Sequence, residues 1–212
     1  MSDFNNAKII GLTGSLLAIM GMIGSLAGLS FFRLTFISGP GWSSGFMPPM
    51  HHPYPLAFYS TLSWLSLAGW VLIIISLYLF SRFYGEPGIF SYILYSILAI
   101  ISGFILSNIL FMVGVVTLVI LIGLLIMILA LLAFYAGIIA GGYFAYTSLR
   151  LLSMKSREES FKYAGILLLI SAILVIILPL ALLFNIASLT VLAVAYYSLK
   201  PPGIVTSGEL KS

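Results

Sequence analysis

The sequence predicts an all-α membrane protein: a six-transmembrane-helix bundle with N- and C-termini cytoplasmic and three helical hairpins as candidate repeats. Three observations predict it. Residues 89–149, sixty-one in a row, contain no Asp, Glu, Lys, Arg or His, and a spanning helix needs only about 20 apolar residues. The chain is 62% hydrophobic and 7% charged with a mean hydropathy of +1.22, whereas soluble domains carry about 25% charged residues. The basic residues fall at the ends of the apolar segments, where they orient a membrane protein. The 212 residues read as a single transmembrane domain.

Span one is 9–32. Lys8 before an apolar stretch imitates a signal peptide, but the stretch exceeds the roughly 7–15 residues of an h-region, so it is expected to be a retained helix. A Pro/Gly-rich outer loop, 33–56, leads to span two, 57–80, which ends at Ser81-Arg82-Phe83-Tyr84-Gly85-Glu86-Pro87-Gly88. The uncharged run then holds spans three and four, 89–110 and 117–149, with a turn between Asn108 and Thr117 around Gly114. An inner charged loop follows at 150–159. There, Ser156-Arg157-Glu158-Glu159 reads as a capping box opening helix five, with Lys155/Glu159 and Glu158/Lys162 at i,i+4 spacing. Spans five and six are 160–179 and 183–199, with the turn between Pro179 and Asn185, because Pro179 cannot continue a helix without losing a backbone hydrogen bond. A cytoplasmic tail, 200–212, closes the chain.

Charge placement supports this count. Lys8, Arg82, Arg150, Lys155, Arg157, Lys162, Lys200 and Lys211 all fall inside and only Arg33 outside, eight of nine basic residues, in keeping with the positive-inside rule. A third helix in the uncharged run would move the cluster from Arg150 to Lys162 outside. Tyr78, Tyr84, Tyr92, Tyr95, Tyr143, Tyr146, Tyr163, Tyr196 and Tyr197 gather near the same inner interface, where aromatic side chains favour the headgroup level. All five acids also fall inside, compatible with an acidic medium outside, where carboxylates would titrate.

The even spans end alike, in Phe80-Ser81-Arg82, Tyr146-Thr147-Ser148-Leu149-Arg150 and Tyr196-Tyr197-Ser198-Leu199-Lys200. Spans one and five share Lys-x-x-Gly at their starts, Lys8 to Gly11 and Lys162 to Gly165. These likenesses suggest three hairpins from one unit. In span one, Gly14, Ala18, Gly21, Ser25 and Gly28 recur at helical spacing on one face, and Gly24 with Gly28 forms a GxxxG. Span four carries Gly137 and Gly141, extended by Ala133. Small-residue seams let two helix backbones approach closely and pack in lipid, either within the bundle or against a partner.

The motifs Lys8-x-x-Gly11-x-x-Gly14, Leu79-Phe80-Ser81-Arg82-Phe83-Tyr84 with Ile89-Phe90, Phe161-x-x-Ala164-Gly165-Ile166-Leu167 and Val194-Ala195-Tyr196-Tyr197-Ser198-Leu199-Lys200-Pro201-Pro202 resemble a family of archaeal multi-span integral membrane proteins known only as a domain of unknown function. The resemblance implies a helical bundle in an archaeal cell membrane. It implies no activity and no catalytic residues.

Both histidines lie in the outer loop, where Met47, Met50, His51 and His52 form a candidate metal set. Thioether and imidazole ligands together suit Cu(I), although adjacent histidines in extended chain point to opposite sides. Without cysteine there is no disulfide, Fe–S cluster or thiolate site. An ion-coupled transporter is expected to carry ionisable residues within the spans, and none is present; Asn108 and Asn185 are the main amides, both placed near outer turns. No nucleotide loop, nucleophile triad, haem-ligand pair or catalytic carboxylate pair appears. The chain is therefore expected not to be an enzyme, to need no cofactor and to bind no nucleic acid. Its expected partners are membrane lipids and other membrane-protein subunits or a second copy. The reading is a non-catalytic accessory subunit of a membrane complex, respiratory among the possibilities, with a channel or facilitator for a small neutral solute as the alternative.

Overall fold

Six α-helices succeed one another in the computed structural model, which describes the backbone of residues 2–37, 54–117 and 122–201 and the side chains of 3–24, 64–117 and 122–201. They are α1 (Ser2–Ile37), α2 (Tyr54–Tyr84), α3 (Pro87–Val116), α4 (Ile122–Ser156), α5 (Ser160–Ile173) and α6 (Leu178–Ser198), with a 3-10 turn, Leu174–Ile176, after α5. Five of them are long and apolar enough to cross a membrane, and Ser160–Ile176 is a shorter apolar segment. The first two run past the predicted spans: α1 carries through Arg33, and α2 begins inside the predicted loop 33–56. Hydropathy ends a span at its first polar residues, but helical hydrogen bonding continues through them.

The bundle is a ring in chain order. Each helix packs on its sequence neighbours, and α6 returns to α1. One end, here called proximal, gathers the starts of α1, α3 and α5 and the ends of α2, α4 and α6. Phe4, Phe80, Ile89, Leu152, Phe161, Tyr196 and Leu199 form the heart of its fully buried core. Lys8 closes the ring: its Nζ donates to the Leu199 carbonyl at 3.0 Å and lies 5.9 Å from the Tyr197 ring centroid. A cation there complements the negative end of the α6 dipole.

Each hairpin is tied by the same device. In α2, Ser76 Oγ donates to Ala7 O of α1 at 2.8 Å; in α4, Ser148 Oγ donates to Ile89 O of α3 at 2.6 Å; in α6, Ser188 Oγ donates to Ala164 O of α5 at 2.7 Å. The second helix of each pair thus reaches a carbonyl near the start of the first. The ties sit at different heights in the three pairs, and only Ser148 belongs to one of the similar helix endings. Interhelical hydroxyl bonds in membranes contribute about 0.6 kcal/mol on average. Ser76→Ala, Ser148→Ala and Ser188→Ala are each expected to lower stability by roughly that amount, measured by unfolding in mild detergent. A loss near zero at all three would show that the ties carry no energy.

The proximal turns have readable causes. Gly85 takes φ 62°, Glu86 N–H bonds Ser81 O at 3.0 Å, and Gly85 N–H bonds Arg82 O at 3.3 Å, a Schellman ending that needs a left-handed residue after the helix. Pro87 then opens α3, where its missing N–H costs nothing. Between α4 and α5 the chain reverses at Arg157, φ 59°.

That reversal overturns the predicted capping box. Glu159, not Ser156, precedes α5 and makes no side-chain cap, while Ser156 Oγ bonds back to Leu152 O at 2.7 Å. With Lys155 and Glu159 in different elements, Lys155 pairs instead with Glu86 at 3.0 Å. Two distal turns are also displaced from expectation. The α5–α6 break falls at 174–177, and Pro179 sits in the first turn of α6 rather than ending helix five. Gly114 is not a turn residue: it lies inside α3, packed against Gly123 and Met127 of α4.

Candidate functional site: an apolar cavity with one unpaired amide

The small-residue seams fall inside the chain's own hairpins. A methyl group added at Gly14 would lie 2.8 Å from Gly69 O and Leu72 Cβ of α2, and one at Gly21 would strike the Ser66 backbone. Gly103 and Gly137 face each other, with added methyls reaching 2.7 and 2.8 Å from the opposite Cα. One at Gly141 would meet Ile100 Cγ1 at 2.5 Å. Gly24 is half-buried, and the side-chain surroundings of Gly28 lie outside the described residues, as does the whole Met47, Met50, His51, His52 set. Among the described residues no cluster of three or more His, Cys, Asp or Glu could hold a metal. The proximal tyrosines do not all form an interfacial belt: Tyr197 is 73% exposed, but Tyr196 is fully buried. Neighbouring helical positions point about 100° apart, so one faces out and the other in.

Above the proximal core, the helices border a half-open cavity of about 360 Å³. Helices α2 to α6 all contribute to its wall, with Trp70, Ile97, Ile138, Leu168 and Val175 giving most of its apolar bulk. Gly141 and Gly142 border it from α4, packed closely against Ile100 and Ala172. Besides the Trp70 indole N–H, three polar side chains line it. Ser96 Oγ already donates to Gly141 O at 2.7 Å and Ser171 Oγ to Ala181 O at 2.8 Å. The third is Asn185, whose Oδ1 is buried without a hydrogen-bond partner. No ionisable residue lines the space. On the proximal side the way is stopped by aromatic packing: Phe80 stacks on Tyr196 at 6.0 Å and Phe161 meets it edge-on at 5.2 Å.

Sequence reasoning placed Asn185 at an outer turn and so missed the cavity. The signal available was its position seven residues into a helix that starts at Leu178, but that start depends on the displaced break. Asn108, the other amide, is exposed and its Nδ2 bonds its own helix at Phe104 O, 2.7 Å away.

A second feature adjoins the cavity. Tyr135 donates its hydroxyl proton to Ile173 O at the end of α5, 2.6 Å away, fixing where the α5–α6 turn meets α4. From there α4 runs back thirteen residues to Ile122, about 20 Å at 1.5 Å per residue. The distal tip of the α3–α4 hairpin, beyond Ile128, thus overhangs the shorter pair. Its outward residues are apolar and exposed, among them Phe104, Ile109, Met112, Leu125 and Leu131, and Ile128, Leu131 and Leu132 form a recess with Val175 and Ile176 of the turn. The turn itself, 173–184, is apolar throughout.

Residues 65–189, more than half of the chain, match a protein family described as "Protein of unknown function (DUF996)". No curated protein and no solved structure matches the chain.

Proposed function

The chain belongs to this family of unknown function, and we propose that it is a non-catalytic accessory component of a membrane protein assembly in the cell membrane. Its archaeal placement rests on the resemblance of the closing Val194 to Pro202 motif. The observation that carries the accessory reading is the overhang. The apolar distal end of the α3–α4 hairpin reaches past the α5–α6 turn, beside a recess that Ile128, Leu131 and Leu132 form with Val175 and Ile176. A helical hairpin of a partner subunit would fill that step, against exposed leucine, isoleucine and phenylalanine side chains. The non-catalytic reading is supported by charge placement. Arg33 toward the far end of α1 apart, the Asp, Glu, Lys and Arg residues of the described helices sit at the proximal end, and none lines the cavity.

Gentle extraction from native membranes, affinity isolation and mass spectrometry test the proposal. Partner subunits are expected to co-purify in a fixed ratio, and Leu131→Trp should release them, since Leu131 is 67% exposed on the recess. Lipid accommodates a Trp there; a packed partner does not. A chain recovered alone, or only with copies of itself, would overturn the reading. The second reading, a facilitator for a small neutral solute, is favoured by the uncharged cavity and opposed by the aromatic packing below it. It requires solute flux in vesicles that contain this protein alone.

A further inference from the structure

We propose that the α5–α6 hairpin is re-entrant: it enters the membrane from the proximal side and turns back inside the hydrocarbon, short of the opposite surface. The first ground is length. Lys162 is the last charged residue before the turn and Lys200 the next after it. From Lys162 to Ile176 the chain makes eleven α-helical and three 3-10 steps, about 22 Å of rise, against a hydrocarbon core of about 30 Å. Helix α6 is longer, at 21 residues, but it starts from the same turn. Its extra length lies at the proximal end, where Leu199 receives the Lys8 hydrogen bond and Tyr196 stacks on Phe80.

The second ground is the neighbouring hairpin, which serves as a ruler. Helix α5 runs beside α4, with Gly165 against Tyr146 and Leu149 and Ala172 against Gly142. The turn then meets α4 at Tyr135 and at the recess formed by Ile128, Leu131 and Leu132. Helix α4 begins at Ile122, six residues and about 9 Å beyond Ile128. That tip is itself apolar and exposed, at Val116, Ile122, Leu124 and Leu125, so it ends at or within the hydrocarbon boundary. A turn that stops short of it lies deeper still.

The third ground is the backbone. Irregular chain at membrane depth must find its hydrogen-bond partners in protein. Here Ile173 O accepts from the Tyr135 hydroxyl at 2.6 Å, Leu174 O from the Ile177 N–H at 2.8 Å, and Ile177 O from the N–H groups of Leu180 and Ala181 at 3.0 Å. Pro179, in the first turn of α6, has no N–H to satisfy. The side chains that project from the turn, Ile176, Ile177 and Leu178, are exposed and apolar, as acyl chains require. This depth is a property of the isolated chain and needs no partner subunit.

The chain has no cysteine, so single nitroxide labels can be attached through Ile176→Cys, Ile177→Cys, Val116→Cys and Met154→Cys, all at exposed positions. The full chain is reconstituted in phosphatidylcholine vesicles. Collision of each label with oxygen, which concentrates in hydrocarbon, is compared with collision with a water-soluble nickel chelate. The oxygen-to-nickel ratio is expected to be several-fold higher at 176 and 177 than at 116, on the apolar tip, and lowest at 154, beyond Arg150 at the proximal end. A ratio at either turn position equal to or below that at 116 would show that the turn reaches the distal surface and would overturn the proposal. Should one turn variant fail to fold, the other decides.

Discussion

Gly137→Leu is expected to lower the melting temperature of the isolated protein by roughly 10 °C or to prevent its recovery as a monodisperse species. The side chain would have to enter a contact where α3 and α4 meet backbone to backbone: a single added methyl already lies 2.8 Å from Gly103 Cα and 3.0 Å from Ala99 O. Neither neighbour is a flexible side chain that can swing away. Overpacking costs about 1–3 kcal/mol where side chains can adjust, and the upper end or more is expected where they cannot. In a chain of this size each kcal/mol moves the midpoint by about 2–4 °C. Gly103→Leu should behave alike, and Gly21→Leu should damage the α1–α2 pair in the same way. The purified chain must be the sample, because the effect belongs to its own hairpin. A Gly137→Leu protein with an unshifted melting curve would mean that α3 and α4 do not meet there, and the seam would again be open to a partner. The same geometry means that Gly21→Leu cannot serve as a clean probe of assembly, since it injures the fold first.

The second large effect concerns Tyr196, and its two substitutions are expected to move in opposite directions. The ring is fully buried, packed on Phe80 and Phe161, and a methyl at Gly11 would lie 2.5 Å from its Cζ. Tyr196→Ala should cost about 3–5 kcal/mol, the range for emptying a buried aromatic site. The hydroxyl is a different matter. It lies beside Ser76 but has no hydrogen-bond partner, and Ser76 itself donates to Ala7 O at 2.8 Å. Removing an unpaired buried hydroxyl removes its desolvation cost. Tyr196→Phe is therefore expected to match or exceed the wild type. Chemical unfolding in mixed micelles measures both; a loss above about 1 kcal/mol for Tyr196→Phe would show that the hydroxyl is bonded after all.

Much of the fold is legible before any coordinates. Apolar length gives six helices. The seam residues at 14, 18 and 21 are placed on one face by helical spacing alone. What stayed hidden depends on facts that a linear pattern does not hold. Pro179 is compatible with ending one helix or opening the next, and only the chain around Ile177 decides it. Gly114 reads as a turn because glycine serves turns and close helix contacts equally. Tyr196 and Tyr197 are chemically alike, and the ring contacts around Gly11 choose between them. The cavity was the least legible feature. Its walls are isoleucine, leucine, alanine and glycine drawn from five helices, residues that look the same in a filled core, and Asn185 gains meaning only once they surround it.

The Lys8–Leu199 bond and the fit of Tyr196 against Gly11 join the first helix to the last. During synthesis the N-terminal helix therefore leaves the ribosome with part of its contact surface unmatched, and that surface is completed only when the sixth helix emerges. The three hairpins, each carrying its own serine tie, can enter the bilayer in turn as self-contained units. The contact between α1 and α6 forms only once both helices have been made. Until then, Gly11 and Lys8 face whatever the insertion machinery or the surrounding lipid provides, and a chain halted before residue 196 keeps that edge exposed to quality control.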